Sequence, residues 1–260
     1  MMHPYSRALL ICGTLVFWIG LNGPIRISAQ DTENKWEFLV EPYLLFPYMS
    51  GDIGLRNLPA INVDASPGDI FGKLQFGGML YLEANNDRFV LTSDLLFMNL
   101  NQDVVPGRII ESGKADANQL AWEFAGLYRV AAVLEIGLGG RVNNVQAGID
   151  IERKEIGGET TAIHASRSKT WFDPFIVIRV KGAVQDKWLY LLRTDAGGVG
   201  IGSTFSWQLQ AQIGYQFSPL FHLKAGYRLL YMDYDKGEGE DRFRYNMKIF
   251  GPTINFGFNF

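Results

Sequence analysis

Apolar and polar residues alternate at every second position along much of the chain. The clearest run is residues 205–217, where Phe, Trp, Leu, Ala, Ile and Tyr alternate with Ser, Gln and Gly. In residues 36–48, seven apolar residues fall on one phase, and Glu37 and Glu41 fall on the other. Successive side chains of a strand point to opposite faces. These runs therefore predict strands with one apolar and one polar face.

The same alternation predicts ten strands, which turn signals separate. They are residues 36–48, 74–83, 88–100, 118–130, 133–147, 168–181, 188–195, 205–217, 221–231 and 247–260. The connections are short near Asn86, Ala131, Val184 and Pro219. Four long segments are predicted as loops because they are polar or glycine-rich, namely residues 50–73, 101–117, 148–167 and 233–244. In the sixth strand, a proline argues against a fully paired position unless a bulge lies there.

The last strand is the most hydrophobic one, and it carries Phe256, Phe258 and Phe260 on a single phase. An exposed edge strand of this kind invites aggregation unless another strand covers it. Pairing of the last strand with the first would remove the edge. The sequence therefore predicts an all-β fold, an antiparallel, up-and-down transmembrane β-barrel of ten strands, with eight or twelve strands as alternatives.

Alternation alone does not say which face of the barrel is outside. A soluble, lipocalin-like barrel would hold the apolar residues inside. The polar phase here carries Gly, Gln and charges of both signs but few Lys residues, unlike a water-exposed surface. Aromatic residues also gather toward the strand ends, as in the interfacial girdles of membrane barrels. These features favour an outward-facing apolar surface.

The first thirty residues are predicted to be a secretory signal peptide, followed by one barrel domain at residues 31–260. Arg7 provides the positive region, an apolar stretch follows, and cleavage is expected after Ala29 or Gln30. A retained anchor is the alternative, but the apolar stretch is shorter than the ~20 residues of a spanning helix. A lipid anchor on Cys12 would require a cut within the apolar region.

Removal of the leader changes the composition. It takes away Arg7 and Arg26, so 24 basic residues become 22 against 27 acidic ones, a net charge of −5. This balance argues against nucleic-acid binding. The single cysteine leaves with the leader, which excludes disulfides and cysteine-based metal sites in the mature chain. No cofactor is expected.

Several segments are similar to a broad family of uncharacterised bacterial outer-membrane β-barrel proteins. They are WFDPFIVIR (171–179), RTDAGGVGIGS (193–203), AGYRLLYMDY (225–234), EPYLLFPYMSGDIG (from residue 41) and the closing GPTINFGFNF. The resemblance covers nearly the whole mature chain and implies an outer-membrane location. It further implies that the terminal Phe260 belongs to a signal read by the barrel-insertion machinery. The partners expected are this machinery and outer-membrane lipids, and the protein is expected to be a monomer. The resemblance transfers no catalytic residue.

Charged residues on the polar phase are the candidate functional group. They are Glu41, Glu83, Asp94, Glu123, Arg141, Asp173, Arg179, Arg193, Asp195 and Arg228. Inside a narrow barrel they would lose water and would have to pair. Eight strands already fill with side chains, whereas open channels need about sixteen. We therefore expect a plugged barrel with a structural or surface-display role, and a constriction that selects small solutes is the alternative.

An outer-membrane enzyme is a further alternative, because hydrolases and acyltransferases need His beside Ser or a carboxylate. After processing, only His164, near Ser166 in a predicted loop, and His222, at the end of a strand, are available. The acidic segments 150–159 and 233–241 match no calcium loop. The glycines at 198–202 are not followed by a predicted helix and are interpreted as a turn.

Overall fold

A computed structural model describes residues 35–55, 60–103, 110–154 and 160–260. The predicted signal peptide lies outside the described residues. Within the described part of the chain, no helix is long and apolar enough to cross a membrane.

The described chain is almost entirely β-structure. In chain order the elements are β1 (Glu37–Leu45), β2 (Tyr48–Leu55), β3 (Ile61–Ala65), α1 (Pro67–Phe71), β4 (Leu74–Asn85), β5 (Phe89–Asp103), β6 (Ile110–Ala131), β7 (Leu134–Lys154), β8 (Thr160–Val184), β9 (Trp188–Gly197), β10 (Phe205–Gln216), β11 (Phe221–Lys236), the 3₁₀ helix η1 (Gly239–Asp241) and β12 (Phe243–Asn259).

Ten of these strands, β1 and β4 to β12, form a closed barrel. Each barrel strand pairs antiparallel with its neighbours, and β1 closes the ring by pairing with both β4 and β12. At the seam, the Phe260 amide donates to the Phe38 carbonyl at 2.8 Å, and the Phe38 amide donates back at 3.1 Å. The predicted ten-stranded barrel, closed by its last strand on its first, is confirmed.

Four tight turns lie at the same end of the barrel as this seam, which we call the turn end. They join β4 to β5, β6 to β7, β8 to β9 and β10 to β11. In the first, the Asn86 side chain accepts from the amides of Arg88 and Phe89. In the third, Gln185 and Asp186 have φ of 53° and 55°, as a two-residue hairpin turn with a primed geometry requires. The opposite end is called the loop end.

The prediction of a loop at residues 50–73 is wrong. After Phe46 and Pro47 the chain continues as β2, which pairs with the loop-end half of β12, and β3 pairs with β2. The helix α1 then begins with a capping box between Ser66 and Asp69 and buries Ile70. The glycine and polar residues of this segment interrupt the apolar–polar alternation. The sequence therefore did not predict the two strands, which extend the sheet at the loop end.

Three other predicted loops are also largely strand. β6 and β7 remain paired as far as Ile110 and Arg153, and β7 pairs with β8 out to Thr160. Likewise, β11 pairs with β12 from Lys236 and Phe243 onwards. Where a sheet continues beyond the apolar band, neither face needs to be apolar, and the alternation that identifies a strand is lost.

Pro174 is not fully paired, as the sequence predicted, although no bulge lies there. On one side β8 pairs through this position with β7 in unbroken register, Pro174 facing Gly140. The ladder with β9 begins one residue later, at Phe175 and Gly197. Pro174 therefore lies where β9 ends, and its carbonyl still accepts from the Gly198 amide at 3.0 Å. The missing N–H falls at the last position of that ladder, where it breaks no internal pairing.

The outer surface of the barrel is apolar and bears aromatic residues at two levels. Near the turn end, neighbouring rings lie with centroids 5.1 to 5.8 Å apart, from Trp188 through Tyr215, Phe217 and Phe221 to Phe258. A second level includes Trp122, Phe124, Phe172, Phe205 and Tyr231. Eight residues of tilted strand between Trp207 and Tyr215 span roughly 20 Å, close to the height of a membrane barrel's apolar band. The predicted outward direction of the apolar face is confirmed.

A charge placed on this outer face tests the assignment. Leu209 lies on β10 between the two aromatic levels, with 39 % of its surface exposed. We expect Leu209→Arg to cost about 2–4 kcal/mol, because the guanidinium would enter hydrocarbon. Urea unfolding in detergent micelles measures the loss. Gln216→Arg on the same strand faces the wet turn end and serves as the control. Equal tolerance of the two variants would contradict the assignment.

Candidate functional site

All ten charged residues that the alternation placed inside the barrel are buried there, each with at most 8 % of its surface exposed. The structure divides them into groups at different heights. Six lie in a network across the middle of the barrel, two lie nearer the turn end, and Glu41 and Asp173 have separate surroundings. The six are Asp94, Glu123, Arg141, Arg193, Asp195 and Arg228.

Glu123 on β6 is the centre of the middle group, since it accepts from three guanidinium groups. Arg141 Nε and Arg228 Nη2 donate to its Oε1 at 2.9 and 3.0 Å, and Arg193 Nη2 donates to its Oε2 at 3.0 Å. These residues belong to four different strands, β6, β7, β9 and β11. The carboxylate thus joins opposite walls of the barrel.

Arg228 on β11 extends the group to the other wall. Its Nη1 donates to Asp94 Oδ2 at 2.9 Å and to the Tyr43 hydroxyl at 2.8 Å, and that hydroxyl donates to Asp94 Oδ1 at 2.8 Å. Its Nε donates to the side-chain oxygen of Gln208 at 2.9 Å. We call these eight residues the central network, namely Tyr43, Asp94, Glu123, Arg141, Arg193, Asp195, Gln208 and Arg228.

Asp195 completes the charge balance of the central network. It accepts from Arg141 Nη2 at 2.9 Å and lies 3.1 Å from Arg193 Nη2. The network holds three carboxylates and three guanidinium groups, so its formal charge is zero. Buried charges are tolerated when they are paired and hydrogen-bonded. Every charged group of the central network is paired and hydrogen-bonded, and of its buried side-chain atoms only Arg141 Nη1 lacks a hydrogen-bond partner among the described residues. The network leaves no net charge to attract an ion.

Phe175 packs into the same layer from β8. The Arg141 and Arg193 guanidinium carbons lie 5.2 and 5.8 Å from the centre of its ring, within the range of cation–π attraction. The ring fits because Gly139 lies opposite, where a Cβ would come 2.5 Å from it. Alternation places Phe175 on the charged face of β8, but it does not indicate which charged groups the ring contacts.

A second network lies nearer the turn end and joins β4, β6, β7 and β8. Arg179 Nη1 donates to Glu83 Oε2 at 2.6 Å, and Arg179 Nε donates to Glu135 Oε2 at 2.6 Å. Lys181 Nζ also binds Glu83, and Arg129 pairs with Glu135 at 3.1 Å. We call this the turn-end network, consisting of Tyr81, Glu83, Arg129, Glu135, Arg179 and Lys181.

Glu41 on β1 has its own partners on the neighbouring wall. Its Oε2 pairs with Lys224 Nζ at 2.7 Å and lies 3.3 Å from His222 Nε2, and its Oε1 accepts from Asn255 Nδ2 at 2.7 Å. The other His222 nitrogen lies 3.4 Å from the amide nitrogen of Asn259. His222, an enzymatic candidate by sequence, is thus buried against a carboxylate at the turn end.

Asp173 departs from the expectation that every inward charge pairs with an opposite charge. Among the described residues no cation pairs with it, although it is fully buried. It accepts from the Ser203 amide and hydroxyl, from Trp171 Nε1 at 3.1 Å and from Asn143 Nδ2 at 3.2 Å. Several hydrogen bonds can stabilise a buried carboxylate in place of a cation. Asp173 fastens the β9–β10 connection to the inside of the barrel.

An apolar layer fills the barrel on the loop-end side of the central network. Along β11, Arg228 is followed on the inner face by Leu230, Met232 and Tyr234, and along β12 the inner face carries Phe243, Tyr245, Met247 and Ile249. Trp171 packs on three of these rings, with centroids 4.6 to 6.4 Å away. Ile70 of α1 closes the layer from above. Side chains therefore fill the interior over two successive levels.

The turn end, by contrast, opens into a vestibule of about 920 Å³. Its floor includes Glu83, Lys181, His222 and Lys224, and Phe38 and Phe260 lie on its lining. Farther inside, a separate cavity of about 10 Å³ lies between Glu41, Asp94 and Arg193. A cavity of that size has room for about one water molecule. The two networks and the apolar layer lie between the vestibule and the loop end.

Sequence reasoning missed several members of these groups. Glu135, Lys181 and Lys224 lie on the polar phase close to the tight turns, so the alternation could have identified them. The apolar layer is harder to recognise in the sequence, because inner and outer residues are both apolar in stretches such as Leu229–Met232 and do not alternate.

The other candidates from the sequence occupy varied positions. His164 and Ser166 lie in β8, not in a loop, with His164 opposite Asp150 of β7 in the register. Gly198 and Gly200 have φ of 87° and 81° and form the turn after β9. Among the described residues, no group of three or more His, Cys, Asp or Glu side chains is placed to hold a metal ion.

The terminal aromatic residues lie on the outer face of the seam. Phe256 and Phe258 are about one-third exposed, and Phe260 is 70 % exposed. Phe258 contacts Phe221 with ring centroids 5.4 Å apart. Phe260 makes no ring contact within the described chain that would explain its presence at the terminus. Its role as an assembly signal stays a prediction.

Deletion of Phe260 tests that role. We expect less heat-modifiable, folded barrel in the membrane fraction, because the seam loses two backbone hydrogen bonds and the insertion machinery loses its signal. The matched control is Phe217→Ala, which removes another aromatic side chain, 60 % exposed, from the same end. Semi-native gel mobility of membrane fractions measures both. Normal assembly without Phe260 would refute the role.

Fold and interior together define a closed, antiparallel membrane-type β-barrel whose lumen is filled by side chains. Solved structures similar to it are bacterial outer-membrane β-barrel proteins. The outer membrane protease OmpT from Escherichia coli matches with a TM-score of 0.53 and 8 % identity, over 88 % of this chain and 98 % of OmpT. The attachment invasion locus protein Ail of Yersinia pestis matches with a TM-score of 0.36 and 11 % identity, over 86 % and 98 %. The toluene transporter TodX of Pseudomonas putida gives 0.34 and 8 %, over 86 % and 90 %.

At these identities the similarity shows the fold alone. No protein-family model and no curated protein sequence matches the chain. The three similar structures carry names of different functions, a protease, an attachment protein and a transporter. The function must therefore be argued from the residues of this chain.

Proposed function

We propose that this protein is a closed outer-membrane barrel that anchors and displays a β-sheet outside the membrane. The observation that carries the proposal is the filled interior. The central network spans the barrel at one level and the apolar layer at the next, and the inner side chains of both are buried. A barrel that conducts solutes needs a continuous water-filled path, and the central network and the apolar layer fill the space where that path would lie.

The location follows from the barrel surface. The outward face is apolar between two aromatic levels, which suits the hydrocarbon of a bilayer. In such barrels the short turns face the periplasm and the long connections face outward. The turn end, with its vestibule, would then open to the periplasm. We propose that the leader directs export, that the barrel-insertion machinery inserts the barrel, and that outer-membrane lipids surround it. The ring of strands closes within one chain, so we propose a monomer.

The display role follows from the uneven strand lengths. β9 and β10 have 10 and 12 residues, enough to cross the apolar band, whereas β6, β7 and β8 have 22, 21 and 25. The extra length extends past the loop end as a paired sheet. A barrel serving only as a plug gains nothing from this extension, since it contributes no side chain to the central network. We infer that the extension is the functional surface.

Protease cleavage of intact cells tests this proposal. A protease site inserted between Gly157 and Gly158, in the segment that joins β7 to β8 in the sequence, is expected to be cut in intact cells. The same site inserted after Ala131, in the β6–β7 turn, is expected to be cut only after the envelope is opened. Cleavage of the turn site alone in intact cells would reverse the orientation and overturn the display role.

A further inference from the structure

The extended part of β8 has a neighbour on one side only. Its ladder with β9 stops at Phe175 and Gly197, while its ladder with β7 continues to Thr160. Near Phe172 and Asp173 the β9–β10 connection still covers the strand, as the Asp173–Ser203 contacts show. From Thr170 back to Thr160, no described residue pairs with this side of β8. A free edge therefore runs along the extension.

The orientation of backbone groups along the edge follows from the register. In an extended strand the N–H and C=O of one residue point toward the same neighbour, and successive residues alternate. The Pro174 carbonyl points toward β9, where it accepts from Gly198, so the even-numbered residues face the open side. The edge thus offers the amides and carbonyls of five residues, namely Ala162, His164, Ser166, Ser168 and Thr170.

Protein edges of this length are usually protected. Prolines, bulges, short strands or a covering loop prevent pairing with other chains, and charged side chains on the edge limit it to partners of opposite charge. Here the β7–β8 register has no bulge, and Pro174 lies below the free part. Ser166, Ser168 and Thr170 are exposed, and all three point to the outer face. An edge left open in this way is a template for an added strand.

The side chains on the other face select the kind of strand. Arg167 and Lys169 share the face of Trp171, Arg167 is exposed, and neither makes a described ion pair. Between Thr160 and Phe172 the strand has no acidic residue. The acids of β7 near this edge, Asp150 and Glu152, lie opposite His164 and Ala162 and so point to the other face. Two cations that lie two residues apart and have no ion-pair partner among the described residues suit carboxylates at alternate positions of a partner strand.

Self-pairing is disfavoured by the same residues. In the antiparallel register that pairs all five edge residues of two copies, centred on Ser166, the two Arg167 side chains would lie diagonally across from each other. In the register centred on Ser168, Arg167 of each copy would lie directly opposite Lys169 of the other. Like charges directly opposite on neighbouring strands are destabilising, and diagonal neighbours remain within reach of long side chains. The edge therefore suits an acidic partner better than a second copy of this chain.

We propose that the β8 edge from Ala162 to Thr170 binds an extended peptide segment with acidic residues at alternate positions, by adding it as a strand. The inference rests on the proposed display role, which places this edge outside the cell, and deepens it by naming the kind of partner. The peptide backbone would pair with the five edge residues, and its carboxylates would meet Arg167 and Lys169. Polar residues between the carboxylates would face Ser166, Ser168 and Thr170.

Peptide binding to the purified, refolded protein in detergent tests the inference. The probe is a fluorescent ten-residue peptide in which Glu alternates with Thr, and its control replaces every Glu by Lys. We expect saturable binding of the Glu peptide, at least about tenfold tighter than that of the Lys peptide. Ser168→Pro removes an edge-facing amide and is expected to weaken binding about tenfold. Arg167→Glu combined with Lys169→Glu is expected to reverse the preference without touching the backbone.

Lys114→Glu is the matched control, an exposed charge reversal on β6 of the same sheet, and is expected to leave binding unchanged. Heat-modifiable mobility confirms that each variant is folded. Absence of saturable binding, equal binding of both peptides, or unchanged binding in the folded edge variants would overturn the inference. Self-association lost in Ser168→Pro would assign the edge to a second copy and overturn it too. Because purified protein is used, failure here would leave the cell-cleavage result, and thus the display role, standing.

Discussion

Glu123→Gln is expected to destabilise the barrel by about 3–5 kcal/mol, since removing one partner leaves buried charges uncompensated. Glu123 accepts from Arg141, Arg193 and Arg228, and without it three guanidinium groups would share two carboxylates. The residue is 3 % exposed, so water cannot replace it. Urea unfolding of the refolded protein in micelles, followed by tryptophan fluorescence, measures the loss.

Two further variants test whether the loss of stability comes from the central network. Adding Arg193→Gln should recover part of the stability, because Asp94 then keeps Arg228 and Asp195 keeps Arg141 in one-to-one pairs. Asp235→Asn removes a partly exposed carboxylate whose pKa is lowered by hydrogen bonds from Arg242, and it should cost less than about 1 kcal/mol. A loss for Glu123→Gln no larger than this control would mean that the central network contributes little.

Trp171→Ala is expected to cost about 3–5 kcal/mol, as large-to-small changes in packed interiors do. Trp171 packs on Tyr234, Phe243 and Tyr245 in the apolar layer and donates to Asp173. The change would open a cavity and remove one hydrogen bond from a buried carboxylate. The same unfolding experiment, followed by gel mobility, measures the effect.

Trp188→Ala provides the matched control for this change. Trp188 is 55 % exposed on the outer face near the turn end, so the same truncation creates no internal cavity. We expect its cost to be well below that of Trp171→Ala. If the two variants unfold at the same urea concentration, the apolar layer does not hold the loop end of the barrel together.

The sequence was most informative where a strand separates lipid from the barrel interior. There one face must be apolar and the other polar, so alternation assigned both the strands and their inward polar residues, as with the outward Leu209 and the inward Gln208 on β10. The closing strand was recognisable because an apolar edge at the chain terminus needs a partner. The strand number followed from the same pattern.

The pattern failed where that separation ends. Past the apolar band, β6, β7 and β8 carry polar residues on both faces, so their extensions were interpreted as loops. Inside the loop end both faces are apolar, as around Leu230, and the apolar layer was not foreseen. The pairing within the central network depends on which strands face each other across the barrel. Periodicity along one strand carries no information about which strands face each other across the barrel.

The most direct measurement of the closed interior is the conductance of the unmodified protein in planar bilayers. With the central network and the apolar layer both in place, we predict small and infrequent current steps. The vestibule alone cannot carry current, because it ends at the turn-end network. Large, steady, porin-like steps would show a continuous wet path and contradict the closed barrel.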